Sequence, residues 1–355
     1  MQPPARRGRL KIFLGYAAGV GKTYQMLEEA QQLKRENVDV VIGYFEPHGR
    51  KDTIAKTAGL EMIPRRIVEY RGSSFEEMDV NAILARRPEV CVVDEFPHTN
   101  VPGAGREKRW QDVLALLEAR IDVLTTMNVQ HIESLNDQMR QITGVLVRET
   151  VPDWVVREAD QVVMVDLTPR ALLNRLQRGV VYAPDKASQA LLNFFKEPVL
   201  VALRELALRQ TAHEVETRQS REQEPSQDRI LIHITADSST AALIRRGRRV
   251  ADYLQAECYA VCVDSPGDRE ARDAVDKHLN LARNLHIETR VIPGKDTAAA
   301  LVDFARAHHI TQIFLARPQQ QRRLPFHRSL AQKVVRLAEE MQVIVVGNRK
   351  KWSRL

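Results

Sequence analysis

Short, continuously apolar runs alternate with stretches of helical periodicity from the first residues onward. LKIFL at 10–14 reads as a strand, and after a glycine-rich loop Tyr24, Leu27, Ala30 and Leu33 recur at helical spacing. VDVVIGYF at 38–45, EVCVVD at 89–94, DVLTTM at 122–127 and QVVMVD at 161–166 continue the series, with helical stretches such as 110–119 between them. A strand with one wet face alternates apolar and polar residues. These runs do not, so they fit a mostly parallel sheet covered on both faces by helices, and the first domain is expected to be α/β.

From Pro169 the strand runs stop. Helical patterns are expected over 169–178, 185–196 and 198–217, the last two introduced by turn signals at Pro184 and Pro198, and they close a first domain over 1–217. The stretch HEVETRQSREQEPSQD at 213–228 loses its apolar positions and gains Ser, Gln, Glu and Pro, so a linker is expected over 218–228. Alternation then resumes with RILIHIT at 229–235, CYAVCVD at 258–264, IETRVI at 287–292, QIFLA at 312–316 and VIVVG at 343–347. Five strands with helical gaps and right-handed crossovers make a second, smaller doubly wound α/β domain over 229–349, followed by a basic tail at 350–355.

A length of 355 residues suits two domains with a core each, and 44% hydrophobic with 28% charged residues excludes wholesale disorder. No run approaches the roughly 18 consecutive apolar residues of a membrane helix, and MQPPARRGRLK lacks the apolar stretch of a signal peptide, so a cytoplasmic protein is expected. Cys91, Cys258 and Cys262 form neither a CxxC pair nor a metal cluster and read as buried free thiols. The net charge of +7 is modest, so local clusters matter more: Arg6, Arg7, Arg9 and Lys11; Arg245, Arg246, Arg248 and Arg249; Arg322, Arg323 and Arg328; Lys350, Lys351 and Arg354. They either attract phosphates, nucleic acid or anionic lipid, or lie on solvated faces and tails. They are not interleaved with aromatics for base stacking, so no nucleic-acid partner is expected.

The candidate chemistry begins at GYAAGVGKT, 15–23, set between a strand and an amphipathic helix, the context in which a phosphate loop is credible. Gly15, Gly19, Val20, Gly21, Lys22, Thr23 and Tyr24 make up the expected nucleotide-binding segment. Gly19 and Gly21 let backbone N–H groups wrap phosphates, Lys22 reaches the terminal phosphates, and Thr23 offers its hydroxyl to Mg²⁺ at a helix N-terminus that favours anions. The usual spacing would place the first glycine where Tyr16 stands; Gly15 sits one residue earlier, so the loop is expected to be one residue longer.

Its partner is VCVVDE at 90–95, with Asp94 in the Mg²⁺ shell and Glu95 placed to orient or deprotonate a nucleophile. Ligands of open α/β sheets bind beyond the carboxyl ends of strands. Glu46, His48 and Arg50 after one strand, and Asn128, Gln130 and His131 after another, should therefore face the same pocket. Asn128 and Gln130 are candidates to sense the γ-phosphate or a partner, against ordinary loop and cap roles. His98, Thr99 and Asn100 follow Asp94 directly, and Thr99 or Asn100 equally serve to cap a turn. The histidines lack metal-ligand spacing, and His233, inside a strand pattern, reads as structural.

GYAAGVGKT, GYFEPHGR at 43–50, VDEFPHTN at 93–100 and TTMNVQHIESLND at 125–137, in that order, closely resemble the N-terminal cytoplasmic domain of the KdpD family, bacterial potassium and turgor sensor kinases. The resemblance covers residues 8–215 and includes the displaced first glycine. Phe96-Pro97 stands where the family commonly has Leu-Ala. The second domain looks like the universal stress protein module that follows in the family. ATP-binding stress-protein modules carry a glycine-rich run after the fourth strand; here ARPQQQRRLPFHRS at 316–329 has no glycine, so ATP is not expected there. Arg317, Arg322, Arg323 and Arg328 could meet another anion, such as a cyclic dinucleotide or an acidic partner surface.

A complete family member continues into transmembrane helices, a phosphoacceptor histidine and an ATPase lid domain, none of which follows Leu355 here. The resemblance therefore implies a natural short form or a fragment rather than a histidine autokinase by itself. The expectation is an ATP- and Mg²⁺-binding regulatory module of potassium-responsive two-component signalling. It would act on a sensor kinase or potassium transporter component, in the cytoplasm or peripherally at the inner face of the plasma membrane. The alternatives are a P-loop ATPase or serine/threonine kinase with Glu95 as base, and a basic nucleic-acid-binding protein.

Overall fold

The computed structural model describes residues 7–179, 181, 195–220, 228–264, 269–317 and 329–347. Contacts divide the chain into two compact units, Met1–Glu214 and Val215–Leu355.

In the first unit β1 (Leu10–Gly15) leads through the glycine loop into α1 (Lys22–Arg35) and β2 (Val40–Tyr44). There follow α2 (Lys51–Ala55), β3 (Glu61–Met62), β4 (Arg66–Tyr70), β5 (Ser73–Glu77), α3 (Val80–Arg86) and β6 (Val90–Val93). Then come α4 (Arg109–Glu118), β7 (Asp122–Asn128), α5 (Asn136–Thr143), α6 (Asp153–Arg157), β8 (Gln161–Met164), α7 (Pro169–Gln177) and α8 (Glu197–Ser220), whose last residues pass the division at Glu214. Six strands pair in the order β3-β2-β6-β7-β1-β8, all parallel. Leu10, Ile12, Phe13 and Leu14 of β1, and every residue of β2 and β6, are buried, as strands covered on both faces must be. Met26, Leu27 and Ala30 give α1 the apolar stripe that packs on them.

The register brings the functional ends together. Gly15 pairs with Asn128 across β1 and β7, and Val93 pairs with Thr125 across β6 and β7. The carboxyl ends of three adjacent strands therefore finish at one edge of the sheet.

Besides the two-residue strand β3, two features depart from the sequence reading. The antiparallel hairpin of β4 and β5 was not foreseen, because its strands carry Arg66, Glu69, Glu76 and Glu77 and make no apolar run. Its turn is Arg71-Gly72, both left-handed at φ 49° and 78°, the backbone twist that matches a two-residue hairpin. The other departure is α8, which continues through Ser220 and occupies the start of the linker expected at 218. Glu, Gln and Arg are good helix formers, so losing the apolar positions removes a buried face without ending the helix. Nearly all of the helix expected over 185–196, and linker residues 221–227, lie outside the described residues.

The second unit contains β9 (Arg229–His233), α9 (Thr240–Leu254), β10 (Glu257–Asp264), α10 (Arg269–Asn284) and β11 (Glu288–Pro293). It continues with α11 (Thr297–Ala307), β12 (Gln312–Ala316), α12 (Leu330–Leu337) and β13 (Gln342–Val346). Its parallel sheet runs β11-β10-β9-β12-β13, a doubly wound order with β9 at the centre. Ile230 and Ile232 of β9 enter one apolar layer with Leu243, Ile244 and Phe314, while Leu231 enters the opposite layer with Val261, Leu301 and Val302. A Cβ at Gly247 would lie 2.4 Å from Ile232 Cδ1, so α9 rests directly on the sheet.

All three cysteines are buried and free. No helix among the described residues is long and apolar enough to cross a membrane. Arg322, Arg323 and Arg328, with the tail at 350–355, lie outside the described residues.

His233 ends the central strand and is buried, 6% exposed, which pulls its imidazole down from 6.5 to about 4. The unfolded chain takes up a proton near pH 6.5 and the folded chain only near 4, so stability is lost as pH falls through that window, by up to about 3 kcal/mol. In His233→Leu, the fall in melting temperature of the second unit between pH 7 and pH 5 should shrink. An unchanged fall would show that another group carries the acid sensitivity.

Candidate functional site

The loop after β1 folds back over its own strand. A Cβ at Gly15 would come 2.7 Å from Val20 Cγ2 and 3.0 Å from Lys22 Cδ, so only glycine fits there. Gly19 and Gly21 are left-handed, at φ 89° and 111°. Tyr16, in the slot where the usual motif has glycine, is fully buried. Its hydroxyl donates to the Leu167 carbonyl at 2.6 Å, and burial pushes its phenol up to about 12. Gly21 caps α1 without a side-chain hydrogen bond, which leaves the first-turn N–H groups available to an anion.

A cavity of about 270 Å³ opens at this point, lined by Lys22, Thr23, His48, Arg50, Asp94, Glu95, Asn128 and His131, among others. Lys22 Nζ donates to Asn128 Oδ1 at 2.6 Å and to the Ala17 carbonyl at 3.1 Å. Burial of its ammonium lowers its pKa to about 8, against the pull of Asp94. Thr23 Oγ1 stands 3.3 Å from Asp94 Oδ1, which also accepts from Thr126 Oγ1 at 2.5 Å. Burial raises the Asp94 pKa, and the Thr126 hydroxyl offsets part of that rise.

Glu95 differs from its neighbour. It takes a left-handed φ of 55°, and its carboxylate pairs with His48 Nε2 at 2.9 Å. That bond holds Glu95 below its ordinary pKa and raises that of His48. His131 Nδ1 donates to the Glu149 carbonyl at 2.7 Å, and burial lowers its pKa. A neutral ring leaves Nε2 as acceptor, 3.3 Å from Gln130 Nε2.

Of the residues singled out in the sequence, Lys22, Thr23, His48, Arg50, Asp94, Glu95, Asn128, His98 and His131 meet at the cavity. Gly15, Gly19, Val20, Gly21, Tyr24, Glu46 and Gln130 are not among its lining residues. Tyr24 is 37% exposed with Lys56 Nζ 4.7 Å from its ring centre, because the position after Thr23 already turns onto the outer face of α1. Gln130 lies in a 3₁₀ turn that directs it to His131. Glu46 is drawn away toward the Tyr44 hydroxyl and Arg65. Asn100 is buried and donates to Asp112 at 2.6 Å, a structural role, while Thr99 accepts from Lys108 at 2.7 Å. Phe96 is buried and Pro97 lines the cavity.

Sequence reasoning missed Thr126, Glu149 and Arg109. Thr126 was visible only as a hydroxyl inside an apolar strand. Arg109 is fully buried, its Nη1 donating to the carbonyls of Asp94 at 3.3 Å and Glu95 at 3.4 Å. Nothing in an arginine that ends the charged run REKR at 106–109 announces burial.

A family model described as the osmosensitive K⁺ channel His kinase sensor domain matches residues 6–215. The putative sensor protein KdpD of Synechocystis sp. is 44% identical over 98% of this chain and 96% of its own length. The sensor protein KdpD of Escherichia coli is 42% identical over 96% of this chain and 39% of its own length. That of Mycobacterium tuberculosis is 42% identical over 89% and 38%. The chain thus spans nearly all of one relative and about two-fifths of the others. Among solved structures, a universal stress protein in complex with cAMP covers 34% of this chain at 15% identity and TM-score 0.30. One from Archaeoglobus fulgidus covers 33% at 21% identity and TM-score 0.26. Four motif segments in order, a family model over more than half of the chain, and identity running through nearly its whole length lead to one conclusion: the chain belongs to the KdpD family of sensor proteins.

Proposed function

We propose that the first unit binds ATP with Mg²⁺ and that occupancy of the site regulates a sensor kinase or potassium transporter component of two-component signalling. The carrying observation is the convergence of the Lys22 ammonium, the Thr23 hydroxyl and the Asp94 carboxylate on a left-handed glycine loop at an uncapped helix N-terminus.

The donor set fits the metal. Thr23 Oγ1 and Asp94 Oδ1 are hard oxygens 3.3 Å apart, and the described residues contain no cluster of three acidic, His or Cys side chains that would hold an ion unaided. Mg²⁺ is typically held by one or two protein oxygens plus substrate phosphates and water. When bound, it would neutralise phosphate charge. The chain's own part is to bind and orient. The loop N–H groups cradle the phosphates, and the Lys22 ammonium exchanges the neutral Asn128 amide for an anionic oxygen. Asn128, released from Lys22, then reports whether the terminal phosphate is present.

Glu95 lines the same cavity, which keeps a second reading in view: hydrolysis of ATP, or transfer of its γ-phosphate to a serine or threonine of a partner, with Glu95 as base. Its pairing with His48 lowers its pKa and weakens it as a base, which supports regulation over turnover.

Calorimetry on the full chain should find ATP-Mg²⁺ binding weakened at least about tenfold in Lys22→Ala, a loss of about 1.4 kcal/mol or more. Equal affinity would sink the nucleotide assignment. Gly21→Ala meets no side chain closer than Arg175 at 3.8 Å, so its cost is the left-handed backbone, about 1–2 kcal/mol of stability in denaturant titration, together with weaker ATP binding. A variant with unchanged stability would mean that the left-handed turn relaxes freely. Glu95→Gln should leave ATP affinity within about threefold of the parent, as expected for a group outside the phosphate cradle. A wild-type phosphate release that this variant abolishes would favour turnover. Pull-downs from cells at low and high potassium are expected to retain a sensor kinase or transporter component in at least one condition, and retention of neither would contradict the regulatory role.

A further inference from the structure

The turn that carries Asp94 and Glu95 is held from behind by a charge that the nucleotide site does not itself use. Glu95 has a left-handed φ of 55°, a conformation costly for a residue with a side chain, so the turn needs an external hold. Arg109, the first residue of α4, supplies one. Its side chain is fully buried, and Nη1 donates to both the Asp94 and the Glu95 carbonyls. The guanidinium lies 3.6 Å from the centre of the Tyr44 ring at the end of β2, and Nη2 sits 3.4 Å from Glu77 Oε2. One planar cation thus joins the Mg²⁺-side turn to the ends of two other strands.

Glu77 is the last residue of the hairpin and is nearly as buried as Arg109, with 3% of its side chain exposed. Its other oxygen accepts from the Val101 N–H at 2.8 Å and meets His98 Nε2 at 3.2 Å. The hairpin therefore grips the loop after Asp94 at two places, through Arg109 and through residues 98–101. A buried cation between two carbonyls, a ring face and a carboxylate needs the forked guanidinium, because a lysine ammonium satisfies fewer of these directions at once.

The geometry points to Arg109 as a positioning residue that aims the Asp94 carboxylate at Mg²⁺, anchored through Glu77 to the β4–β5 hairpin. The inference rests on the ATP-Mg²⁺ reading above and adds that the metal-dependent part of affinity answers to a residue outside the cavity. Movement of the hairpin reaches the metal position through two contacts, Glu77 to Arg109 and Arg109 to the turn.

The test is calorimetry of the full chain with ATP, once with Mg²⁺ and once with EDTA, for wild type, Arg109→Lys and Glu77→Gln. Wild type gains affinity from Mg²⁺. In Arg109→Lys that gain falls about tenfold while affinity in EDTA stays within about twofold, since Lys22 and the glycine loop are untouched. Glu77→Gln gives the same selective loss on a smaller scale, and it decides the matter where Arg109→Lys shows no cooperative melt. A folded variant that keeps the full Mg²⁺ gain, or one weakened equally in both arms, overturns the positioning role while leaving the ATP reading intact. Wild type that binds ATP in neither arm overturns both.

Discussion

The pairing of Gly15 with Asn128 is the constraint on which the site depends. A slip of one residue between parallel neighbours would shift Asn128 by about 3.3 Å and turn its side chain to the opposite face of the sheet. Lys22 would then lose its amide partner, and Thr126, two residues earlier on the same strand, would no longer meet Asp94. Outside the site the strands are buried on both faces, with Ile12, Val92 and Leu124 in one core. Apolar packing along the strands therefore sets polar geometry at their ends.

The charges at those ends divide into two kinds. Lys22 and Asp94 are shifted in opposite directions by the same cause: burial disfavours the ammonium and the carboxylate alike. Their mutual attraction offsets only part of that, so both remain short of opposing charge. His48 and Glu95 satisfy each other at 2.9 Å. Two adjacent carboxylates in one turn are thus driven apart in acidity, Asp94 upward and Glu95 downward. That split separates a carboxylate raised by burial from one paired with a neighbour.

Strands were the most legible part of the fold, since buried parallel strands are written as apolar runs, and all five expected strands of the second unit lie within two residues of their observed ends. The glycine loop and Asp94 were legible because their chemistry admits few residue types. What stayed hidden was held by long-range pairing. Glu77 and Arg109 look like surface residues in any local window and are buried because their partners come from distant sequence, each other across 32 positions. The hairpin was hidden for the same reason: its charged strands are stabilised by what they grip, and only Arg71-Gly72 marked its turn. Tyr24 follows the motif at a point where the helix already turns its side chain outward.

Tyr16 gives the displaced glycine a structural meaning. Standard spacing would put a small residue there, whereas here a buried ring lies beneath the loop and its hydroxyl is tied to the Leu167 carbonyl. Leu167 immediately precedes Thr168, which caps α7, and from α7 Arg175 donates to the Gly19 carbonyl at 3.2 Å. The residue before Leu167, Asp166, pairs with Arg204 of α8, with Nε at 2.7 Å. The glycine loop is thus tied from below by Tyr16 and across Gly19 by Arg175, and both ties lead to the segment between β8 and α8. Moving a glycine by one position admits a side chain large enough to make that connection, and a loop held in this way cannot change shape without pulling on the helices that follow the sheet.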